Sequence, residues 1–198
     1  GTSRGLGDVY KRQPISYAAR DGLTIHGYLT KPVGVSAPTS AVLLVHGGPW
    51  ARDTWGYRAQ AQWLANRGYV VLQVNFRGST GYGKDFLNAG NREWGGKMHD
   101  DLVDGVNWLV EKGIANKDKI AIMGASYGGY STLVGLTFTP EVFAAGVDIV
   151  GPSSLITLTQ TIPPYWEPLK KQFFYRVGNL ETEPDFLQSR SPLFFVCL

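Results

Sequence analysis

The feature that most constrains this chain is an alternation of short apolar runs with amphipathic stretches between residues 41 and 150. Ala41–Val45 is a continuous apolar run of the kind that a strand buried on both faces requires, and Tyr69–Val74 is a second. Lys119–Met123 and Ala144–Val150 are further strand candidates. Strands that alternate with helices connect into a mainly parallel sheet with helices on both faces, so the sequence predicts an α/β fold.

Two helices and one earlier strand fit the same pattern. Thr54–Arg67 predicts a helix that ends at Gly68, with one apolar face formed by Tyr57, Ala61, Leu64 and Ala65. The clearest helix spans positions 98–110, where apolar residues recur at helical spacing: Met98, Leu102, Val106, Leu109 and Val110. Leu23–Leu29, entered from a turn at Asp21–Gly22, predicts a strand.

Charge and composition exclude several classes of function. Residues 1–20 supply the whole formal charge of +3, since the other 15 basic and 15 acidic residues balance. Because residues 21–198 carry no net charge, they offer no basic face for binding phosphates, which argues against nucleic-acid binding. The longest apolar runs fall far short of the ~20 residues that cross a bilayer, so we expect no membrane span. Cys197, the single cysteine, forms neither an internal disulfide nor a metal cluster, and we expect no metal or cofactor.

The first 13 residues, Gly1–Gln13, lack an initiating Met, an apolar signal core and any periodicity. We interpret them as a non-native leader and place the folded part, a partial domain, at residues 14–198.

Gly124–Gly128 has the pattern Gly-x-Ser-x-Gly, in which a serine, here Ser126, lies on a tight turn between a strand and a helix. The bare pattern arises by chance in about one of six chains of this composition. Its context is more specific, because Ile120–Met123 leads in as a strand and Tyr127–Phe138 leads out as a helix that stops before Pro140. The alternative is an ordinary glycine-rich turn.

A second motif, His46–Gly47–Gly48–Pro49, directly follows the Ala41–Val45 strand. Acyl transfer creates an oxyanion, which backbone N–H groups fixed in advance stabilise without reorganisation. In this arrangement one donor is the N–H of the residue after the nucleophile, which here is Tyr127. The other donor lies in the loop after the third strand, for which Gly48 is the candidate. The alternative is again a simple tight turn.

A third stretch, Asn75–Gly83, is rich in glycine but has neither the spacing of a dinucleotide-binding motif nor the lysine of a phosphate-binding loop. We interpret it as a shaped loop beside the site. Arg77 within it is expected to be a structural anchor rather than a substrate ligand.

Together these stretches resemble the prolyl oligopeptidase family of serine peptidases, and above all its acylaminoacyl-peptidase and dipeptidyl-peptidase-like branch. The resemblance covers about residues 15–195 and rests on motifs in the family's order: His46–Pro49, Asn75–Gly83, Trp94–Gly96, Asp100–Leu102 and Gly124–Tyr130. It implies an α/β-hydrolase peptidase domain that cleaves short peptides, usually preceded by a β-propeller that restricts access.

The same resemblance implies roles for individual residues. Ser126 corresponds to the nucleophile, and the Gly48 and Tyr127 amides correspond to the oxyanion hole. The substrate pocket in such enzymes is apolar and partly aromatic, which makes Tyr165 and Trp166 candidates. Packing of a lid-like segment is the alternative for these two residues.

The order of the catalytic residues departs from the family. In α/β-hydrolases the nucleophilic serine is followed by Asp or Glu and then by His. All three histidines, His26, His46 and His99, precede Ser126. Carboxylates follow Ser126, but none precedes a histidine that it could orient: Glu141, Asp148, Glu167, Glu181, Glu183 and Asp185. His99, beside an acidic pair at a helix start, is a substitute base only if it lies within reach of Ser126.

We interpret the missing base as truncation, with C-terminal strands of the α/β-hydrolase fold absent. Ser191–Phe195 resembles the segment before the family's next strand, and residues 196–198 drift from it. We therefore expect the polypeptide as written to be essentially inactive. We also expect the Ala144–Val150 strand to have an unpaired edge, which favours aggregation.

Two other functions are compatible with the same motifs. A carboxylesterase shares the chemistry, but many esterases have a third glycine where Pro49 stands, and the Asn75–Gly83 loop favours a peptidase. A non-catalytic binding relative of the same fold would be expected to have a degenerate Gly-x-Ser-x-Gly motif, whereas this one is intact.

Overall fold

A six-stranded sheet forms the centre of the computed structural model, which describes residues 12–196. In chain order the strands are β1 (Arg12–Ala18), β2 (Thr24–Thr30), β3 (Thr39–Val45), β4 (Val70–Asn75), β5 (Ala115–Ala125) and β6 (Ala145–Ile149). Their order across the sheet is β1-β2-β4-β3-β5-β6. β1, β2 and β4 pair antiparallel, and β4, β3, β5 and β6 pair parallel. The predicted α/β class is confirmed.

In the described part of the chain, seven helices connect or follow these strands: α1 (Ala59–Asn66), α2 (Lys84–Asn88), α3 (Lys97–Glu111), α4 (Tyr127–Phe138), α5 (Leu155–Gln160), α6 (Glu167–Arg176) and α7 (Pro184–Ser189), before a 3₁₀ turn at Pro192–Phe195. Across residues 12–196, none of them has both the length and the apolar character needed to span a membrane.

Helices cover both faces of the sheet because the parallel strands are apolar on both sides. Leu43, Leu72 and Ile122 face the main core, into which α3 and α4 pack. The alternate residues of β3 and β4 face the opposite side, where they form a smaller cluster with α1: Val42, Leu44 and Val71 from the strands, and Ala61 and Leu64 from the helix. The apolar face predicted for α3 is confirmed, since Met98, Leu102, Val106 and Leu109 are buried and Val110 packs against them.

The predicted helix over Thr54–Arg67 is wrong at its beginning. α1 starts at Ala59, because Gly56 has a φ of +126° and Arg58 is extended. A backbone in those conformations does not continue a helix. Tyr57, expected on the apolar face, is consequently exposed.

The predicted boundary between leader and folded part lies inside β1. Arg12 pairs with Thr30 and Gln13 with Leu29, so both residues belong to the sheet. The Arg12 guanidinium donates to the carbonyl oxygens of Thr54 and Gly56 and lies 4.4 Å from the centre of the Tyr28 ring. Residues 1–11 of the predicted leader, and Cys197, lie outside the described part of the chain.

β6 forms one edge of the sheet. Among residues 12–196 it pairs only with β5, as the sequence predicts for the Ala144–Val150 segment. Val147 is 49% exposed and Ile149 39% exposed, so this edge presents apolar side chains together with unpaired backbone groups. Such an edge is a template for pairing with another chain.

We expect the 198-residue chain to self-associate through β6. Val147→Lys should raise the monomer fraction, because a charged side chain on an edge strand opposes pairing between sheets. Val33→Lys is the matched control, since Val33 is an exposed valine in a loop away from β6. Sedimentation velocity over a concentration series measures the effect. A monomer at all concentrations before substitution would contradict the expectation.

Candidate active site

Ser126 lies at a sharp bend between β5 and α4. Its backbone has φ 56° and ψ −118°, a conformation that costs a non-glycine residue about 1–3 kcal/mol. Backbone hydrogen bonds hold the bend on both sides. The Ser126 N–H donates to the Ile149 carbonyl oxygen at 3.0 Å, and the Ser126 carbonyl oxygen accepts from the Tyr130 N–H at 3.0 Å. Ser126 is exposed, while the helix that follows it is buried. The bend therefore presents this serine to solvent.

The glycines around Ser126 allow three backbone segments to meet. A Cβ on Gly124 would lie 2.5 Å from the backbone of Gly128, and a Cβ on Gly128 would collide with the carbonyl oxygen of Val45. On the opposite side, a Cβ on Gly47 would be 3.2 Å from the Ala125 oxygen. The steric reason for glycine in the sequence motif is therefore present in the structure.

A cavity of about 460 Å³ opens beside Ser126. It brings together four of the five predicted site residues: Gly48, Ser126, Tyr127 and Trp166. Tyr165 does not line it and is 79% exposed. The rings of the neighbouring Trp166 and Tyr165 contact each other edge to face, with their centroids 6.2 Å apart, but only Trp166 lines the cavity. Tyr165 is therefore not part of this cavity, and its assignment to a substrate pocket stays a prediction.

Three aromatic wall residues of the cavity were not predicted as site residues: Trp50, Trp94 and Phe173. Trp94 belongs to a motif that carries the family resemblance, and that motif is the one signal that could have identified it. Trp50 directly follows the His46–Pro49 motif in the sequence. Phe173 reaches the site from α6 and has no motif of its own, so only the fold brings it here.

Two backbone amides at the cavity are free to donate. No residue in the range 12–196 accepts a hydrogen bond from the Gly48 or the Tyr127 N–H. Tyr127 is the first residue of the 12-residue helix α4, where N–H groups have no intrahelical acceptor and the helix dipole favours negative charge. Gly48 has a φ of +121°, which glycine adopts readily.

His46 and the Asn75–Gly83 loop lie directly behind this arrangement. His46 Nδ1 is 2.7 Å from the Gly47 carbonyl oxygen, and Nε2 is 2.9 Å from the Ser79 hydroxyl. The ring stacks on Phe76 with centroids 4.4 Å apart. Burial lowers the pKa of His46, so the imidazole is neutral at physiological pH.

Arg77 is a structural anchor, as expected from its sequence context. It is buried, and its guanidinium donates to the carboxylates of Asp101 and Asp21 at 2.8–3.0 Å. The bond from Arg77 lowers the pKa of Asp21 to about 2. Since Arg77 does not line the cavity, it ties the loop to α3 and to the β1–β2 turn rather than binding a substrate.

None of the three histidines lines the cavity at Ser126. His26 is exposed on β2 and stacks on Tyr82. His99 is buried in α3, where Nε2 lies 2.9 Å from the Thr139 hydroxyl and Nδ1 has no partner among the described residues. Burial lowers the pKa of His99 to about 4. The setting of His99 therefore offers no support for its role as a substitute base.

Comparisons with known proteins agree with this geometry. A profile of the prolyl oligopeptidase family matches residues 55–193. Dipeptidyl aminopeptidase BIII of Pseudoxanthomonas mexicana is 58% identical over 190 residues, which cover 91% of this chain and 28% of that protein. The chain thus spans about 28% of the length of this curated relative.

Two solved structures share the fold. A puromycin-hydrolysing peptidase of Mycobacterium tuberculosis superposes with a TM-score of 0.89 at 27% identity, over 98% of this chain and 30% of that one. Pyrococcus horikoshii acylaminoacyl peptidase superposes with a TM-score of 0.83 at 28% identity, over 94% of this chain and 30% of that one. The expected α/β-hydrolase fold is confirmed.

The burial of His99 predicts a pH dependence of stability. The unfolded chain binds a proton near pH 6.5, whereas the buried imidazole binds it only near pH 4, so the free energy of unfolding falls as the pH decreases between these values. From pH 7 to 4.5 the chain should lose about 2 kcal/mol more than the His99→Gln variant does. Urea unfolding at both pH values measures the difference. His26→Gln is the control, because His26 is exposed and its replacement should leave the loss in free energy of unfolding unchanged. If His99→Gln lost as much free energy of unfolding as the unsubstituted chain, the role of His99 would be wrong.

Proposed function

Because the chain belongs to the prolyl oligopeptidase family, we propose that it is the nucleophile-bearing part of a serine peptidase domain that hydrolyses peptide bonds in short peptides. One observation carries the proposal. An exposed serine on a strained bend shares a cavity with two residues whose amides have no acceptor among the described residues, Gly48 and Tyr127. This is the arrangement that acyl transfer to a hydroxyl requires.

The proposed reaction begins with attack of Ser126 Oγ on the carbonyl carbon of the scissile peptide bond. The carbonyl oxygen becomes an oxyanion, which the Gly48 and Tyr127 N–H groups stabilise. Collapse of this intermediate breaks the C–N bond and releases the amine, which takes up the proton that Ser126 gave to a general base. Water then attacks the acyl-enzyme ester by the same route, which releases the acid and restores the Ser126 hydroxyl.

The general base is not among the histidines of this chain, since each has other contacts and none lines the cavity. We place the base, and the carboxylate that orients it, in parts of a longer protein that follow residue 198. Loss of the base in a comparable serine peptidase lowers kcat by about 10⁶. The 198-residue chain alone is thus essentially inactive under this proposal.

The cavity wall favours substrates with an apolar side chain next to the cleaved bond. Trp50, Trp94, Trp166 and Phe173 supply aromatic surface, and no described lining residue is charged. The names of the relatives, dipeptidyl aminopeptidase and acylaminoacyl peptidase, favour release of one or two residues from the amino end of short peptides. A β-propeller before this domain, which restricts access to small substrates, belongs to the same proposal.

Carboxylesterase activity and non-catalytic binding are the competing functions. Pro49 and the Asn75–Gly83 loop favour the peptidase over an esterase. The strain at Ser126 argues against a binding relative, because glycine would adopt this backbone conformation at lower cost if the hydroxyl were not used.

We expect Ser126→Ala to lower kcat/KM for a dipeptidyl or acylaminoacyl amide substrate by about 10⁶ in a longer protein that contains this chain and is active. A fluorophosphonate probe should label the unsubstituted protein and leave Ser126→Ala unlabelled, since the probe reacts only with an activated serine. Ser36→Ala is the control, because Ser36 lies exposed in the loop before β3.

The same assays separate the competing functions. A binding relative stays unlabelled, and an esterase turns over the ester but not the amide of the same acyl group. The 198-residue chain alone should show no turnover. Turnover by this chain that Ser126→Ala abolishes would contradict the placement of the base outside it.

A pair of neighbouring aromatic residues tests the substrate pocket. Trp166→Ala should lower kcat/KM for substrates with a large apolar side chain by roughly tenfold or more, because it removes part of the cavity wall. Tyr165→Ala should leave the same kinetics within about twofold, since Tyr165 lies outside the cavity. Equal effects of the two substitutions on this substrate would show that the cavity is not the pocket.

A further inference from the structure

One wall of the cavity beside Ser126 is formed by α6, a helix with little buried surface. Of its ten residues Phe173 alone is buried, and its ring meets Trp94 edge to face with centroids 5.7 Å apart. Trp166, which precedes the helix, and Leu169 line the cavity and are 51% and 36% exposed. A short helix that buries so little apolar surface has a low local stability. The position of α6 therefore depends strongly on the polar contacts at its carboxyl end.

Arg92 makes the main backbone contact at that end. Its N–H donates to the carbonyl oxygen of Arg176, the last residue of α6, at 2.7 Å. Carbonyl groups in the last turn of a helix have no donor within the helix, so this bond satisfies one of them. The Arg176 guanidinium donates in return to the Asn91 side chain at 2.9 Å. Since Arg92 lies two residues before Trp94, these bonds connect two parts of the cavity wall.

The backbone of Arg92 has a conformation that arginine does not favour. Its φ of 62° lies in the left-handed region, where the Cβ of any residue other than glycine costs free energy. Such a conformation persists only where the surrounding structure holds it. The direction of the Arg92 N–H towards Arg176 depends on this conformation, so the turn needs an anchor.

The side chain of Arg92 provides the anchor. Its guanidinium donates to both carboxylate oxygens of Glu183, with Nη1 2.8 Å from Oε2, and two-bond pairs of this kind have a defined geometry. It also lies 4.8 Å from the centre of the Phe186 ring. Glu183 is held in turn by the Asn179 N–H at 3.2 Å. It directly precedes α7, which is fixed to the main core by the fully buried Leu187.

The length of α6 amplifies movement at this end. Trp166 lies ten residues before Arg176, about 15 Å along a helix. A tilt of about 5° at the carboxyl end would displace Trp166 by about 1 Å, which is enough to alter how a substrate is held.

We propose that Arg92 is a positioning residue that sets the width of the cavity beside Ser126, with its guanidinium anchored on Glu183 and its N–H holding the carboxyl end of α6. The inference rests on the proposed function and deepens it. Neither Arg92 nor Glu183 lines the cavity, so both act through α6 rather than by touching a substrate. The ion pair thereby determines how well a large apolar side chain fits, whereas a small side chain does not reach α6.

The experiment compares two amide substrates in an active longer protein that contains this chain. They differ only in the side chain next to the cleaved bond, phenylalanine in one and alanine in the other. Arg92→Ala removes the anchor and keeps the cost of the left-handed backbone, so the turn should relax and α6 should shift. We expect KM for the phenylalanine substrate to rise at least about fivefold. Its kcat, and both constants for the alanine substrate, should stay within about twofold.

A second substitution tests whether the ion pair is responsible. Glu183→Gln keeps the size of the side chain and loses its charge, and it should raise KM for the phenylalanine substrate to a similar extent. The double variant Arg92→Ala/Glu183→Gln should show no further increase, because both substitutions remove the same interaction. Independent effects would instead multiply.

Two controls separate anchoring from loss of a side chain. Glycine adopts a φ of this sign without cost and keeps the N–H, so Arg92→Gly should raise KM for the phenylalanine substrate by no more than about twofold. Lys170→Ala removes another ion pair of α6, the one to Glu181 at 3.2 Å. Within residues 12–196 neither of these two side chains bonds to the turn at Arg92, so Lys170→Ala should leave both substrates within about twofold.

Hydrogen exchange gives a measurement that does not depend on turnover. Amides at positions 171–176 should exchange at least about fivefold faster in Arg92→Ala and Glu183→Gln than in the unsubstituted protein. Amides of α4 should keep their exchange rates, and so should all amides of α6 in Lys170→Ala.

The outcomes separate this inference from the proposed function. If Ser126→Ala abolishes activity while Arg92→Ala and Glu183→Gln keep the original KM for the phenylalanine substrate, the positioning role is wrong and the peptidase proposal stands. Equal increases for the two substrates, an Arg92→Gly variant as impaired as Arg92→Ala, or unchanged exchange in α6 would also overturn the role. If Ser126→Ala retains activity, the proposed function itself fails.

Discussion

The close approach of α4 to the ends of β3 and β5 is the contact on which the rest of this structure depends. β3 and β5 pair in register, with Val45 opposite Gly124, so their carboxyl ends meet at one edge of the sheet. Gly128 then places the first turn of α4 against the Val45 carbonyl with no room for a side chain. This contact brings the start of a helix to the loop that follows β3. The serine bend and both unpaired amides lie at that junction.

Aromatic packing beneath the junction stabilises this backbone arrangement. Phe76 lies against both His46 and Tyr127, with ring centroids 4.4 and 5.3 Å apart. Trp94 meets Tyr127 edge to face at 4.7 Å and also contacts Phe173 of α6. Aromatic pairs of this kind contribute about 0.5–1.5 kcal/mol each beyond the area that they bury. Trp94 and Phe173 therefore belong both to the core under the bend and to the wall of the cavity.

Local signals in the sequence predicted the parts of the fold that depend on local rules. The apolar spacing of α3 and the glycines around Ser126 express requirements within one helix or one turn. The start of α1 was missed because Gly56, outside any recognised motif, adopts a left-handed conformation that overrides the apolar pattern. Arg12 was missed because its partners, Thr54 and Gly56, lie more than 40 residues away.

The candidate site was predictable to a similar extent. Ser126, Gly48 and Tyr127 all line the cavity, and they could be named as candidates because their motifs reflect backbone geometry. The cavity wall could not, since it is assembled from four separate segments of the chain. Adjacent residues in an irregular stretch carry no periodicity that separates inside from outside, which is why Tyr165 and Trp166 could not be distinguished.

The backbone at residue 126 also indicates what maintains its side chain. A positive φ combined with a ψ of −118° suits glycine better than serine, and two glycines already flank this turn. If selection acted on folding alone, glycine would be the favoured occupant, and a lineage that no longer needed the hydroxyl would be free to drift towards it. Folding alone therefore does not account for the serine at position 126, whereas the proposed nucleophilic role of its hydroxyl does.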